Sequence, residues 1–224
     1  MTDRVPGRNP FEPSFEQLPE TLPIFPLSGV LLLPGGKLPL NIFEPRYLAM
    51  TEEALHGDRL IGMVQPLEED AGGDQPPVFP VGCAGRMTQF SETEDGRYLI
   101  TLTGICRFRI ERELPLFCGY RRVAPDYSAY RSDFDIDPVN FDRGRLLSAL
   151  KVYLKLKQLS AEWDSIENAP GERLITCLSM ICPFAPREKQ ALLESPSLAE
   201  RAKVLTVLLE MAVLEGAEPS APLN

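Results

Sequence analysis

His56 is the one histidine of this 224-residue chain, and Cys83, Cys106, Cys118, Cys177 and Cys182 are its five cysteines. These residues bound the chemistry open to it. A catalytic imidazole needs an oriented nucleophile on one side and an orienting group on the other. The sequence around His56 identifies neither, and a place at the end of a helical stretch suits a histidine for dipole reasons instead. The cysteines are odd in number, widely spaced and free of any C-x-x-C pair. That pattern points to reduced thiols rather than a disulfide framework or a structural zinc site. Cys177 and Cys182 stand five apart, off a shared helix face. Lys155, Lys157 and Ser160 have the residue types of a Ser–Lys dyad, but an exposed helix face offers nothing to depress a lysine pKa. Gly36-Lys37 is the one Gly-Lys pair; Leu38 follows it, and Leu31 stands where a phosphate loop has its first glycine. Without that backbone cradle and magnesium hydroxyl there is no nucleotide site of this kind. The residues imply no cofactor, no metal and no catalytic group.

Charge narrows the partners. The net charge is −9, which disfavours a general nucleic-acid binder, since phosphate neutralisation supplies most non-specific affinity. Arg107, Arg109, Arg112, Arg121 and Arg122 form the one basic concentration. They read as a solvated strand face paired with Glu111, Glu113 or nearby acids, with an RNA-binding face beside Tyr120 as the alternative. No apolar run reaches the roughly 18 residues that span a bilayer, and the amino terminus lacks a secretory core. The expectation is a cytoplasmic protein with a real hydrophobic core, given 44% apolar and 25% charged residues.

The elements that must carry these residues fall into two groups. Residues 1–20 hold Pro6, Pro10, Pro13 and Pro19 and are expected as a flexible arm. Leu38, Leu40 and Ile42 alternate with Pro39 and Asn41, a strand face, after a Pro34-Gly35-Gly36 turn. Prolines 23, 26 and 39 place these segments at sheet edges or bends. Glu44-Pro45 opens a helix that runs to about His56 and stops at Gly57. Strands are predicted over 60–65, 81–90, 97–103, 105–112 and 120–124, with Asp95-Gly96 as a hairpin turn. Residues 126–138 are acidic and poor in aliphatics and read as a linker. Beyond it the apolar period changes from two to about 3.6. Leu146 to Leu156, Leu174 to Met180 and Pro186 to Leu193 mark three helices. Ser197-Leu-Ala-Glu200 caps a fourth, amphipathic to Leu214 and closed by Gly216. An amphipathic helix in that place serves equally as a core member or as a homodimer face. The domains are therefore 1–20, 21–125, 126–138, 139–215 and a disordered tail, 216–224.

The stretch Leu22-Pro-Ile-Phe-Pro-Leu27, followed by Leu38-Pro-Leu40 and Ile42-Phe-Glu-Pro-Arg-Tyr47, closely resembles the opening signature of the Lon protease amino-terminal domain. Ile61-Gly62, Val81-Gly82-Cys-Ala84, Gly104-Ile-Cys-Arg-Phe-Arg-Ile110 and Pro186 to Arg201 are similar to later segments of that family, in the same order. The resemblance covers roughly residues 20–215. It implies an α+β chain: a PUA-like small mixed β-barrel followed by a carboxy-terminal helical bundle. It also implies recognition of polypeptide segments, as the part of an ATP-dependent protease that binds substrate. The chain has no room for the ATPase and peptidase of that enzyme, so a stand-alone, non-catalytic module is expected.

Two clusters are the candidate sites. Phe43, Glu44, Pro45, Arg46 and Tyr47 form a structural motif. A cation in the first turn of a helix opposes the dipole, so Arg46 is expected to clamp the helix to a carboxylate or to barrel carbonyls, with Glu44 and Tyr47 at the same junction. Leu31, Leu32, Leu33 and Pro34 exceed what one edge strand needs for packing. Leu31, Leu33 and Pro34, with Phe79, Met87 and Phe90, are expected to line a groove for extended polypeptide. The implied partners are unfolded or extended polypeptides, or a protease or chaperone. The competing function is RNA binding through the Arg107/Arg109 strand.

Overall fold

Leu22, Ile24 and Phe25 are buried in β1 (Leu22–Pro26), and every residue of β3 (Leu60–Val64) is buried. A fully buried strand reads as a continuous apolar run because both faces are covered. These two strands pair in parallel, Ile24 opposite Gly62, and start the sheet of a computed structural model that describes residues 13–67, 75–135 and 140–217. β3 pairs with β4 (Val81–Glu92), β4 with β5 (Tyr98–Phe117), and β6 (Tyr120–Asp126) with both β5 and β1, all antiparallel. The ring β1-β3-β4-β5-β6 therefore closes as a small mixed barrel, while β2 (Lys37–Ile42) lies along the first half of β5 as an extra strand.

Closure depends on the length of β5. The sequence suggests two strands broken at Gly104; the structure runs one strand through it for 20 residues. Its first half lies between β2 and β4, and its second half turns to pair with β6, from Arg109–Asp126 to Phe117–Tyr120. Register shifts at Ala84/Gly85, Met87/Gln89 and Ile110/Arg112 supply the bends. Gly104 is no strand breaker but a point of close approach. A Cβ there would lie 2.0 Å from the carbonyl oxygen of Leu33. The Gly104 N–H donates to Gly36 O at 2.9 Å, and the Gly35 N–H donates back to Gly104 O at 2.9 Å.

A buried apolar cluster forms the core of this unit. Phe108 stands at its centre with Leu22, Ile24, Val64 and Val123. Gly62 and Gly82 leave the space for its ring, since a Cβ on either would come within 2.8 Å of Phe108 Cζ. Residues 126–135, expected within the linker, belong to this unit. Asp126 ends β6, and Ser128–Phe134 form a 3-10 helix whose Tyr130 and Phe134 pack on the core. Phe15, just inside the expected arm, meets Phe134 edge-on at 5.7 Å. The chain divides into two compact units, Met1–Ile136 and Asp137–Asn224. Residues 1–12, 136–139 and 218–224 lie outside the described residues, and with them the rest of the expected arm, linker and tail.

α1 (Pro45–His56) starts at Pro45 as expected, with Glu44 at the N-cap. At its end Gly57 keeps a negative φ, and Arg59 takes the left-handed turn at φ 60, its N–H bonding Ala54 O. The second unit contains α2 (Arg143–Leu156), α3 (Trp163–Asn168), α4 (Gly171–Ile181), α5 (Pro186–Glu194) and α6 (Leu198–Ala217). The sequence reading lacks α3, a 6-residue piece too short to show a period. Half of the α6 capping box forms: Ser197 Oγ accepts from the Glu200 N–H, but the Glu200 carboxylate goes to Lys203. α6 runs one residue past Gly216 and buries Leu205 and Leu209, so it is a core member of its bundle.

Gly104→Ala is the sharpest check on this architecture. The added methyl must displace the Leu33 peptide, an overpacking worth about 1–3 kcal/mol, so the thermal midpoint is expected to fall by roughly 3–10 °C. An unshifted midpoint would mean that the Leu33 backbone does not cross there.

Candidate functional site

The groove expected from Leu31, Leu33, Pro34, Phe79, Met87 and Phe90 does not exist as a set. Leu31, Leu33 and Met87 are core residues at 2%, 0% and 2% exposure. The reason is the Gly104 crossing: the leucine run forms no strand but dives beneath β5, and a Cβ on Gly85 would strike Leu32. Pro34 is half-buried at the turn. Phe79 is half-buried as well, its N–H bonded to Gln65 O at 2.9 Å. Phe90 alone of the six is well exposed, at 42%.

Phe90 has other company. β2 is the terminal strand of the sheet order, with no strand neighbour on its far side among the described residues. Its register with β5 sets Leu40 opposite Ile100 and Asn41 opposite Leu99, and β4 continues the rows with Phe90 opposite Ile100 and Ser91 opposite Leu99. Cross-strand neighbours share a face. Leu40, Ile100 and Phe90 thus lie on one face, and Asn41 and Leu99 on the other with Pro39. An open groove of about 520 Å³ runs here, lined by Pro39, Leu40, Phe90, Leu99 and Thr101 among others. Leu99 is 46% exposed, and Phe43, just past the end of β2, is 60% exposed. Sequence reasoning missed Leu99 and took Phe43 as structural. The signal was present: Leu99 breaks the phase set by Ile100 and Leu102, and Phe43 that of Leu38, Leu40 and Ile42.

The surroundings of this edge are polar and carry charges of both signs, with Lys37 exposed on β2 itself. Thr101 Oγ1 donates to Gln89 Oε1 at 2.8 Å. Glu92 and Glu94 are exposed at the β4–β5 turn. Asp95 is held below the usual carboxylate range by the Thr93 hydroxyl and by Arg97, which pairs with it at 2.9 Å and lies 5.8 Å from the Phe43 ring. The Tyr98 hydroxyl donates to Glu52 Oε1 of α1 at 2.7 Å, which raises its pKa.

The motif at the start of α1 includes a local carboxylate partner for Arg46. Arg46 finds its carboxylate in Glu44, two residues back, at 2.9–3.0 Å, and lies over the Tyr47 ring at 4.7 Å. Tyr47 is buried against Phe25 of β1, ring centroids 4.2 Å apart, and burial raises its phenol pKa. Arg46 and Tyr47 border a second cleft, of about 120 Å³, with Pro26, Pro66, Tyr120 and Arg121.

The arginine strand is largely committed to internal pairing. Arg107, expected on the solvent face, is 3% exposed. Its Nε and Nη2 donate to both carboxylate oxygens of Asp133 at 2.7–3.1 Å, its backbone N–H donates to Asp133 Oδ2 at 2.9 Å, and it lies 4.9 Å from the Tyr130 ring. Those bonds outweigh burial and hold its pKa above the ordinary value. The alternation fails because the turn 128–134 covers the outer side of β5 over Gly104–Phe108, burying both faces. Arg121 is buried as well, paired with Glu113 and bonded to Pro76 O at 2.6 Å. Arg109 and Arg112 are exposed, and Arg122 is half-buried over Phe117 at 4.7 Å.

The candidate catalytic types stay apart. His56 is exposed, its Nδ1 2.7 Å from Glu52 O. Burial pushes the Cys182 thiol up to about 11. Cys83 and Cys106 are also buried, while Cys118 and Cys177 are exposed. Among the described residues no three His, Cys, Asp or Glu side chains form a metal-holding group, and no helix is long and apolar enough to cross a membrane.

A family model described as the ATP-dependent protease La (LON) substrate-binding domain matches residues 21–211. Lon protease 2 of Myxococcus xanthus is 25% identical over 201 residues, which are 87% of this chain and 24% of that protein. Lon protease of Parabacteroides distasonis is 27% identical over 215 residues, 89% of this chain and 25% of that protein. The chain thus spans about a quarter of the length of these relatives. Among solved structures, the Lon N-terminal domain protein from Xanthomonas campestris superposes with a TM-score of 0.59 at 20% identity, covering 84% of this chain and 97% of that one. The N-terminal domain of Mycobacterium avium complex Lon protease gives 0.56 at 14% identity, covering 85% and 98%. These two likenesses bear out the fold.

The buried ion pair supplies its own test. Asp133→Ala takes away the carboxylate that bonds the buried Arg107 guanidinium, which costs about 3–5 kcal/mol and should lower the thermal midpoint by roughly 10 °C. Replacing both partners together, Arg107→Met with Asp133→Leu, should restore most of it. Equal loss in the double variant would show that the pair is not the source.

Proposed function

Because this chain belongs to the family of the ATP-dependent protease La (LON) substrate-binding domain, we propose that it recognises segments of other polypeptides, as a substrate-binding or adaptor module that carries out no chemistry of its own. One observation carries the reading beyond the family. Leu99 and Phe90 stand exposed along an open groove at the end of the sheet, one on each face, and Phe43 is exposed just past the end of β2. Exposed apolar side chains gathered in one place mark an interaction site far better than the same residues scattered singly. Unfolded or extended chains expose apolar side chains that a folded protein hides, and burying them here returns about 25 cal/mol per Å².

The non-catalytic part of the proposal rests on the state of the nucleophiles and bases. The raised Cys182 thiol stays protonated at neutral pH and is buried. The imidazole of His56 faces the Glu52 carbonyl and not a nucleophile. RNA binding through the arginine strand draws no support from Arg107 and Arg121, whose charges are buried against Asp133 and Glu113. The partners that fit are unfolded polypeptides, or a protease or chaperone that handles them.

Fluorescence anisotropy with labelled, reduced and alkylated lysozyme, which is basic and permanently unfolded, tests this directly. Phe43→Ser with Leu99→Ser should weaken binding about tenfold, roughly 1.4 kcal/mol, and leave the thermal midpoint nearly unmoved because both side chains are exposed. Unchanged affinity in the double variant would remove this face from the account, and no binding by the wild-type protein would remove the polypeptide reading.

A further inference from the structure

The far edge of β2 has a defined set of backbone groups to offer. The bond from the Gly104 N–H to Gly36 O fixes the phase of the β2–β5 ladder, and the register runs from Lys37–Thr103 to Ile42–Tyr98. Backbone groups alternate sides along a strand. Those of Leu38, Leu40 and Ile42 therefore turn toward β5, and those of Lys37, Pro39 and Asn41 turn outward. The open edge presents three carbonyls and the N–H groups of Lys37 and Asn41, with one gap in the donors at Pro39. Proline is admitted to a strand in this orientation because the donor it lacks is not needed by its own sheet.

We propose that β2 takes up an extended segment of another polypeptide as an added strand, the sheet growing by one through main-chain hydrogen bonds. This rests on the polypeptide-recognition reading above and specifies its mode. Main-chain pairing binds many sequences, as a recogniser of unfolded chains requires, while side-chain pockets select among them. Here the side chains of an added strand alternate between the face of Pro39 and Leu99 and the face of Leu40 and Phe90. The occupant is a foreign chain and not a second copy. Two β2 strands meeting antiparallel in their fullest register set Pro39 opposite Pro39, and both donors of the central pair are missing. A foreign strand with an ordinary residue there loses only one, and still donates to the Pro39 carbonyl. Charge sets the rest of its chemistry. Lys37 is exposed at one end of β2, and the other end, at Ile42, adjoins the β4–β5 turn with its exposed Glu92 and Glu94. On a chain of net charge −9, an apolar segment with lysine or arginine at the end beside Ile42 therefore fits best.

Backbone methylation of the ligand separates this mode from mere apolar contact without altering the protein. The probe is a labelled decapeptide alternating valine and threonine between terminal lysines, read by anisotropy against the 224-residue chain. One derivative carries N-methyl groups on alternate residues and a second carries them on every internal residue. An added strand turns only one set of its N–H groups toward β2, and a chain with either set free can present that edge. The first derivative should therefore stay within about twofold of the parent, while the second binds about tenfold or more weaker, the loss of one or two neutral hydrogen bonds. Equal affinities for the two derivatives, whether both retained or both lost, would overturn the strand-addition mode and leave polypeptide recognition standing. Failure of the unmethylated parent to bind while reduced and alkylated lysozyme still binds would overturn the strand-addition mode; failure of both would overturn the recognition reading itself. A dimer seen by sedimentation that the parent peptide dissociates would put a second copy on the edge and also overturn the proposal.

Discussion

The backbone of Leu33 lies against Gly104 more closely than any side chain on that residue would allow, and the rest of the barrel unit is arranged around that contact. It lets the leucine run pass beneath β5 into the core. It ends in a turn at Gly35 and Gly36 whose bonds to Gly104 start the β2 ladder in a fixed phase. It also lets β5 continue for its full length, with the second half free to reach β6 and close the ring. The sheet is closed on one side and left with a single added strand on the other. The same contact that completes the core thus leaves β2 at an edge.

Charge reinforces this division. Arg107 and Arg121 would be the natural heart of a basic surface, but each is folded inward onto a carboxylate, Asp133 and Glu113. Holding a guanidinium in the interior demands that kind of bonding, and the turn that brings Asp133 also seals the outer side of β5. What remains outside near the open edge, on a chain of net charge −9, is apolar with charges of both signs: Phe43, Phe90 and Leu99, with Glu92, Glu94, Lys37 and Arg97. A surface of that composition suits extended polypeptide better than a polyanion.

Much of the fold could be read from residue order, because local rules govern it. Pro45 after Glu44 opens α1, Asp95-Gly96 turns the β4–β5 hairpin with Gly96 at φ 77, and the change of period after residue 138 separates strands from helices. The errors share a different cause. Gly104 reads as a break unless one knows that another backbone crosses it. Arg107 reads as exposed because alternation assumes that one strand face meets solvent, whereas the turn over 128–134 covers that face. Leu31 and Leu33 read as surplus because their cover comes from strands far along the chain. Each is a consequence of contacts distant in sequence, which a local pattern does not register. The site was half legible on the same grounds. Phe90 was identified, and Leu99 and Phe43 were visible only as apolar residues out of phase with their strands.

The central claim is that polypeptide is held at the open edge of β2. Amide exchange with solvent, followed by NMR with and without reduced and alkylated lysozyme, tests it at the atoms concerned. The account predicts slower exchange at the outward N–H groups of Lys37 and Asn41, with the amides at the exposed β5–β6 turn, from Leu116 to Gly119, unaffected. Unchanged exchange at Lys37 and Asn41, with protection appearing at that turn or in the helical unit, would contradict it.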